Sequence, residues 1–410
     1  MATVALLGTL DTKGEEYEWL AARLRELGVE TLTIDVGSFS ESPDAQVSAR
    51  EVMSAAGADP DALRAHQDRG EMMTMMARGA AVVVTELAEQ GRIHGLLAVG
   101  GSGGSSVAAG AMQALPVGFP KLLVSTMASG NVKPYVGEVD TTMMYSVVDV
   151  AGLNSISTKV FANAVAAIAG MATQYEAGLG ADAAEQKPLI GLTMFGLTTA
   201  AANEARHRLD EYGYETLVFH ATGTGGRAME KLAESDLLAG VCDLTTTELC
   251  DDLAGGILSA GPDRLEVVGT KGLPQVVSLG AIDMVNFGPK ESVPERYDGR
   301  TFIVHNPTIT LMRTSVDENA ELGRRIARKL AAATGPTKLF IPLKGLSGID
   351  IEGGPFWDPD ANTALFDELR TGLAASSVEI IELDMHVNDP GFGLAMVDAL
   401  HEMIQAHSTN

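Results

Sequence analysis

Cysteine is nearly missing from this chain of 410 residues: only Cys242 and Cys250 occur, within Cys-Asp-Leu-Thr-Thr-Thr-Glu-Leu-Cys. They form no Cys-x-x-Cys pair, and a structural zinc would need two more ligands, so they read as buried free thiols in a reducing compartment. Basic residues are scarce as well, 29 against 54 acidic ones, for a formal net charge of −25. Such a surface repels phosphate backbones and anionic headgroups, which argues against nucleic-acid and membrane partners but leaves room for a small phosphate in a local basic pocket. No run approaches the ~18 consecutive apolar residues of a membrane span. The opening Met1-Ala2-Thr3-Val4-Ala5-Leu6-Leu7-Gly8 carries neither a basic stretch nor a cleavage site, and the expected location is the cytoplasm. The Walker pattern Gly-x-x-x-x-Gly-Lys-Ser/Thr is also absent.

What is present is a regular alternation. Val4–Gly8, Glu30–Val36, Gly95–Val99 and Lys121–Ser125 read as strands, and Glu15–Leu27, Gln67–Gln90, Gly104–Leu115 and Thr158–Met171 as helices. Ala177–Gln186, followed by Lys187-Pro188, reads as a linker over residues 177–188 between domains 1–176 and 189–410. The pattern then restarts with strand Leu189–Met194, helix Ala200–Tyr212 and strand Thr216–His220. A shift of 185 residues overlays Val4–Gly37 on Leu189–Thr222 with eight identities in 34 positions. Duplication is the expected cause; convergence of any helix–Gly–strand junction is the alternative. Further strands are expected at Leu265–Val268, Gln275–Leu279, Phe302–Val304, Leu339–Pro342 and Val378–Leu383. The prediction is an α/β protein of two Rossmann-like, doubly wound parallel-sheet domains with an inter-domain cleft and ligands at the carboxyl ends of strands.

The loops after strands carry the candidate chemistry. After the first strand come Thr9, Asp11, Thr12 and Lys13, where a helix start attracts an anion, Lys13 adds a charge, and Asp11 could hold a metal-bound water. Helix capping by Thr12 or Asp11 is the plainer role. The stronger signal is Gly100-Gly101-Ser102-Gly103-Gly104-Ser105, where four glycines let the backbone approach phosphate oxygens. In the second half Gly223-Thr224-Gly225-Gly226 parallels it, with His220 at the preceding strand end. Asp283, in an apolar setting, must be paired, metal-bound or protonated. With His305 it joins His220 as a candidate acid–base or metal group; His386 is a further strand-end histidine. Glu71–Ala77, rich in methionine, reads as packing or a subunit contact.

These loops, with Val124–Gly130, Asp243–Leu249, Gln275–Gly288 and Val304–Thr308, span essentially the whole chain. There the sequence resembles the family formed by the ATP-binding domain of the tomato tobamovirus-resistance protein and its uncharacterised bacterial relatives. The resemblance implies two Rossmann-like subdomains, ATP as ligand, and a homo-oligomer. The plant protein continues into a TIM barrel similar to phosphoenolpyruvate mutases, so an equivalent barrel would here be a separate partner. Antiviral action is not carried over. The leading expectation is an ATP-binding protein, with a divalent metal and the reaction class left open. A metal-dependent lyase or hydrolase of a small carboxylic or keto acid, and a non-catalytic nucleotide sensor, are the alternatives.

Overall fold

Successive side chains of a strand point to opposite faces of its sheet, and here both faces are covered. In β1 (Thr3–Gly8), Val4 and Leu6 pack with Leu20, Leu24, Phe161 and Ile168, while Ala5 and Leu7 pack with Ile34, Met76, Val84 and Val107. That double burial is why the strand reads as an apolar run rather than an alternation. The structure is a computed structural model that describes residues 1–66, 68–179 and 187–407. The chain separates into two compact units, the first ending and the second beginning between Leu179 and Lys187. The expected linker starts inside the helix Ser157–Gly178, and residues 180–186 of it lie outside the described residues.

The first unit adds β2 (Glu30–Asp35), β3 (Gly95–Gly100), β4 (Lys121–Ser125) and β5 (Thr142–Tyr145). Its sheet runs β2-β1-β3-β4-β5, every pair parallel. The helices Leu10–Glu26 and Ser157–Gly178 cover one face, and Arg69–Glu89 and Ser102–Ala114 the other.

The second unit holds β6 (Leu189–Met194), β7 (Glu215–His220), β8 (Gly240–Thr245), β9 (Gln275–Gly280), β10 (Met284–Phe287), β11 (Phe302–Asn306), β12 (Ile309–Arg313), β13 (Thr337–Pro342) and β14 (Glu379–Leu383). Its main sheet is parallel, in the order β14-β13-β9-β8-β6-β7. Read from its first strand, this is the first unit's order with one strand added. The 185-residue shift maps β2 onto β7 end to end, and the helix Leu10–Glu26 ends on the same equivalent residue as the helix Thr199–Glu211.

Three expectations are corrected. Leu265–Val268 is no strand: Leu265 turns with φ at +78° and a short helix, Val267–Thr270, follows. The central strand β8 went unpredicted because Asp243 interrupts its apolar run. Beyond the parallel sheets there is a small antiparallel one, β10-β12-β11, inserted between β9 and β13, and the expected strand Phe302–Val304 lies in it.

Candidate functional site

In the order β2-β1-β3, the connections from β1 and β3 leave toward opposite faces, and the crevice outside their carboxyl ends is where such sheets bind ligands. A cavity of about 500 Å³ opens there in the first unit. The loop after β1 lines it with Thr9, Asp11, Thr12 and Lys13, and the loop after β3 with Gly101, Ser102, Gly103 and Gly104. Its volume falls within the ~300–1,000 Å³ of small-molecule sites.

Local chemistry keeps this crevice open. The buried Tyr17 hydroxyl donates to the Leu7 carbonyl at 2.5 Å and accepts from the Val99 N–H at 2.8 Å, so it stands between β1 and β3 where they part. A side chain at Gly8 would overlap the Tyr17 ring, which makes that glycine obligatory. The helix Ser102–Ala114 starts on Gly101 with no side-chain cap. Its first amides have no partner within the helix and carry the positive end of its dipole. Lys13 interrupts the helix Leu10–Glu26 with φ at −136°, and its ammonium donates to the Val150 carbonyl at the cavity's side. The Arg69 guanidinium comes within 3.8 Å of where a side chain on Gly103 would start and forms no ion pair with any described residue. Asp68 also lines the cavity, but it accepts from the Gly70 and Glu71 amides and caps the helix Arg69–Glu89.

Two expected ligand contacts lie elsewhere. Gly100 is buried and Ser105 sits behind the loop, its hydroxyl 2.6 Å from that of Ser125 and 3.4 Å from the Gly100 carbonyl. They brace the cradle and do not line it. Sequence reasoning missed the rest of the lining, which includes Met72, Met73, Met76, Val107 and the exposed Phe39. Met72 and Met76 do pack in the core as expected, but the methionine turn faces the cavity as well. Its signal was the loop after β2, Gly37-Ser38-Phe39-Ser40, where an aromatic stands among small residues.

The second unit uses the same loop chemistry on itself. Gly223 and Gly226 donate their amides to Glu248 Oε1 at 2.7 and 3.1 Å. Thr224 and Gly225 open the helix Thr224–Glu234 beside them. Glu248 Oε2 accepts from Arg264 Nε at 2.7 Å, and Arg264 grips Asp243 with both terminal nitrogens, at 2.6 and 2.7 Å. Glu230 is the third carboxylate on this guanidinium, at 3.4 Å, and burial pushes its carboxyl up to about 7. The anion expected at this loop is therefore the protein's own side chain.

No hydrogen bond or ion pair joins any two of His220, Asp283 and His305 among the described residues. His220 is exposed and stacks on Phe195, with ring centroids 5.4 Å apart. His305 is exposed on β11. Asp283 is fully buried; its Oδ2 accepts from the Ser347 hydroxyl at 2.8 Å and its Oδ1 has no partner. Burial, with Asp350 nearby, pushes its carboxyl up. His386 is buried, with Nε2 2.8 Å from the Ser347 carbonyl oxygen. Among the described residues no three histidine, cysteine or acidic side chains form a metal-binding group. Both cysteines are buried and free, and no described helix is long and apolar enough to cross a membrane.

The uncharacterised protein family UPF0261 matches nearly the whole chain, its N-terminal domain over residues 2–177 and its C-terminal domain over 187–404. The chain belongs to this family. A UPF0261 protein of Clostridium tetani is 47% identical over 403 residues, covering 98% of this chain and 99% of that one. The ToMV resistance protein Tm-1(GCR237) of Solanum lycopersicum is 37% identical over 426 residues, covering 98% of this chain and 55% of the tomato protein. The chain thus spans about half the length of its tomato relative and essentially all of its bacterial one. A UDP-GlcNAc 2-epimerase of Methanocaldococcus jannaschii aligns over 98% of this chain and 93% of that one, at 9% identity and a TM-score of 0.24. That likeness is too slight to carry an argument about ligands.

Proposed function

We propose that the first unit of this UPF0261 protein binds a small phosphorylated ligand, with ATP the leading candidate. The observation that carries the reading is the cavity at the β1/β3 crevice, floored by the uncapped start of the helix Ser102–Ala114. Free amides and the helix dipole favour an anion there, and Arg69 and Lys13 supply cations beside it. The methionines and Phe39 suit an apolar or planar remainder, so one cavity offers surfaces for both parts of a nucleotide. Self-association and a separately encoded barrel partner, both implied by the family resemblance, belong to the same reading and are checked by sizing and co-purification.

The test is calorimetry on the full chain. Gly103→Val puts its Cβ in ordinary contact with Met73, 3.4 Å from Cε, at a position that lines the cavity. ATP affinity should fall at least tenfold while the melting temperature holds. Unchanged ATP affinity in the folded variant would place the phosphates elsewhere.

A further inference from the structure

We propose that Phe39 is a stacking platform for a planar heterocyclic ring of the ligand, and that Arg64 is the positioning residue that presents it. The proposal rests on the phosphate reading above and adds the residues that tell a ring-bearing phosphate from a ringless one.

Phe39 is 60% exposed and belongs to none of the hydrophobic clusters of the first unit. A large aromatic in water forgoes the stabilisation it would gain in a core. On a loose loop the ring could fold away, but this loop is pinned. Arg64 Nε donates to the Ser38 carbonyl at 3.1 Å and Nη2 to the Ser40 carbonyl at 3.0 Å, while Nη1 pairs with Glu41. One guanidinium therefore fixes the carbonyls on both sides of Phe39, and the Arg64 side chain is itself only 15% exposed. The base of the loop is tied as firmly: Asp35 Oδ1 accepts from the Gly37 amide at 2.9 Å and from the Leu10 amide at 3.2 Å. The Ser40 amide closes the turn on the Gly37 carbonyl at 3.1 Å. The backbone that carries Phe39 is thus fixed beside the cavity, which Phe39, Met72 and Met73 all line. Thioethers are polarisable and adapt to aromatic edges, so a flat ring entering this cavity finds both an aromatic face and adaptable apolar surface.

Lysine cannot replace this clamp, because a single ammonium does not span two carbonyls as a planar fork does. The experiment titrates ATP and inorganic tripolyphosphate into the full-length wild type, Phe39→Ala, Phe39→Trp, Arg64→Lys and the double variant Phe39→Trp/Arg64→Lys. Phe39→Ala should lose roughly ten- to a hundredfold in ATP affinity, the range for base–aromatic stacking, with tripolyphosphate unchanged. Phe39→Trp should retain ATP and show fluorescence quenching on binding, above the background of Trp19 and Trp357. Arg64→Lys should show the same ATP-only loss at an unchanged melting temperature, and the double variant should lose the quenching. Equal losses for both ligands, or no loss for either, would overturn the platform alone. A wild type that binds neither ligand would overturn the phosphate reading and the platform with it.

Discussion

The two units build one frame and use it in opposite ways. Both run the strand order 2-1-3-4-5 from their own first strand, and both place a glycine-containing loop before a helix start. In the first unit the helix start of Ser102–Ala114 opens into a cavity. In the second, Glu248 fills the loop at Gly223–Gly226 and Arg264 balances it. Composition of the loop therefore does not make a ligand site. What decides is whether a carboxylate elsewhere in the chain can reach the free amides. Glycine serves both ends, admitting a ligand in one unit and a side chain in the other.

The largest effect should come from removing the charge that keeps the second loop filled. Arg264→Met leaves Asp243, Glu248 and Glu230 buried without their cation. Breaking a buried ion pair by removing one partner costs about 3–5 kcal/mol, and urea denaturation of the full chain should register that loss in the second unit. A loss below about 1 kcal/mol would mean that the cluster does not hold the loop. Gly226→Ala comes next. Its new methyl would overlap Glu248 Oε2 and crowd Arg264 Nε, and overpacking of this kind costs about 1–3 kcal/mol. ATP affinity in the first unit should not change, and calorimetry on the same variant checks that.

A smaller effect, and one specific to the second unit, is the response to pH. Burial raises the carboxyls of Glu230 and Asp251 to about 7 and pushes Asp283 upward. All three bind protons more tightly when folded than when unfolded. Their contribution is fully present below the unfolded carboxyl range near 4 and is lost as pH rises through about 7. The melting temperature should therefore fall from pH 5 to pH 8, and Glu230→Gln should flatten part of that fall. A flat or rising profile in the wild type would show these acids ionised without cost.

Most of the frame was legible because buried parallel strands are apolar runs between punctuating glycines, as at Gly95–Gly100 and Lys121–Ser125. The strand β8 was not, since Asp243 interrupts its run and its partner Arg264 lies 21 residues away. Leu265–Val268 misled for the opposite reason: an apolar run that packs Leu265 and Val268 inward from a turn and a short helix looks like a strand. At the site, the loops after β1 and β3 were visible as glycine-rich turns that follow strands. The lining by Met72, Met73 and Phe39 was not, because methionine on a helix packs in cores far more often than it lines a cavity. The occupancy of the second loop was equally hidden: nothing local to Gly223–Gly226 reveals a carboxylate arriving from residue 248.

The smallest effect separates the two loops most cleanly. Gly104 sits in the first turn of the helix Ser102–Ala114, with an ordinary helical position and open space where a side chain would begin. Glycine inside a helix is worse than alanine by about 0.5–1 kcal/mol, because its backbone loses more freedom on folding. Gly104→Ala should therefore stabilise the first unit by up to that amount, while the same change in the second unit's glycine loop, Gly226→Ala, destabilises. The same methyl stands at the cavity floor, where it keeps a phosphate from the amides, so the gain in melting temperature should come with weaker ATP binding. Opposite signs in stability and affinity from a single methyl are what a cradle kept bare for a ligand requires. If Gly104→Ala instead lost stability as Gly226→Ala does, some side chain of the protein would already occupy the first loop, and the contrast between the two units would fail.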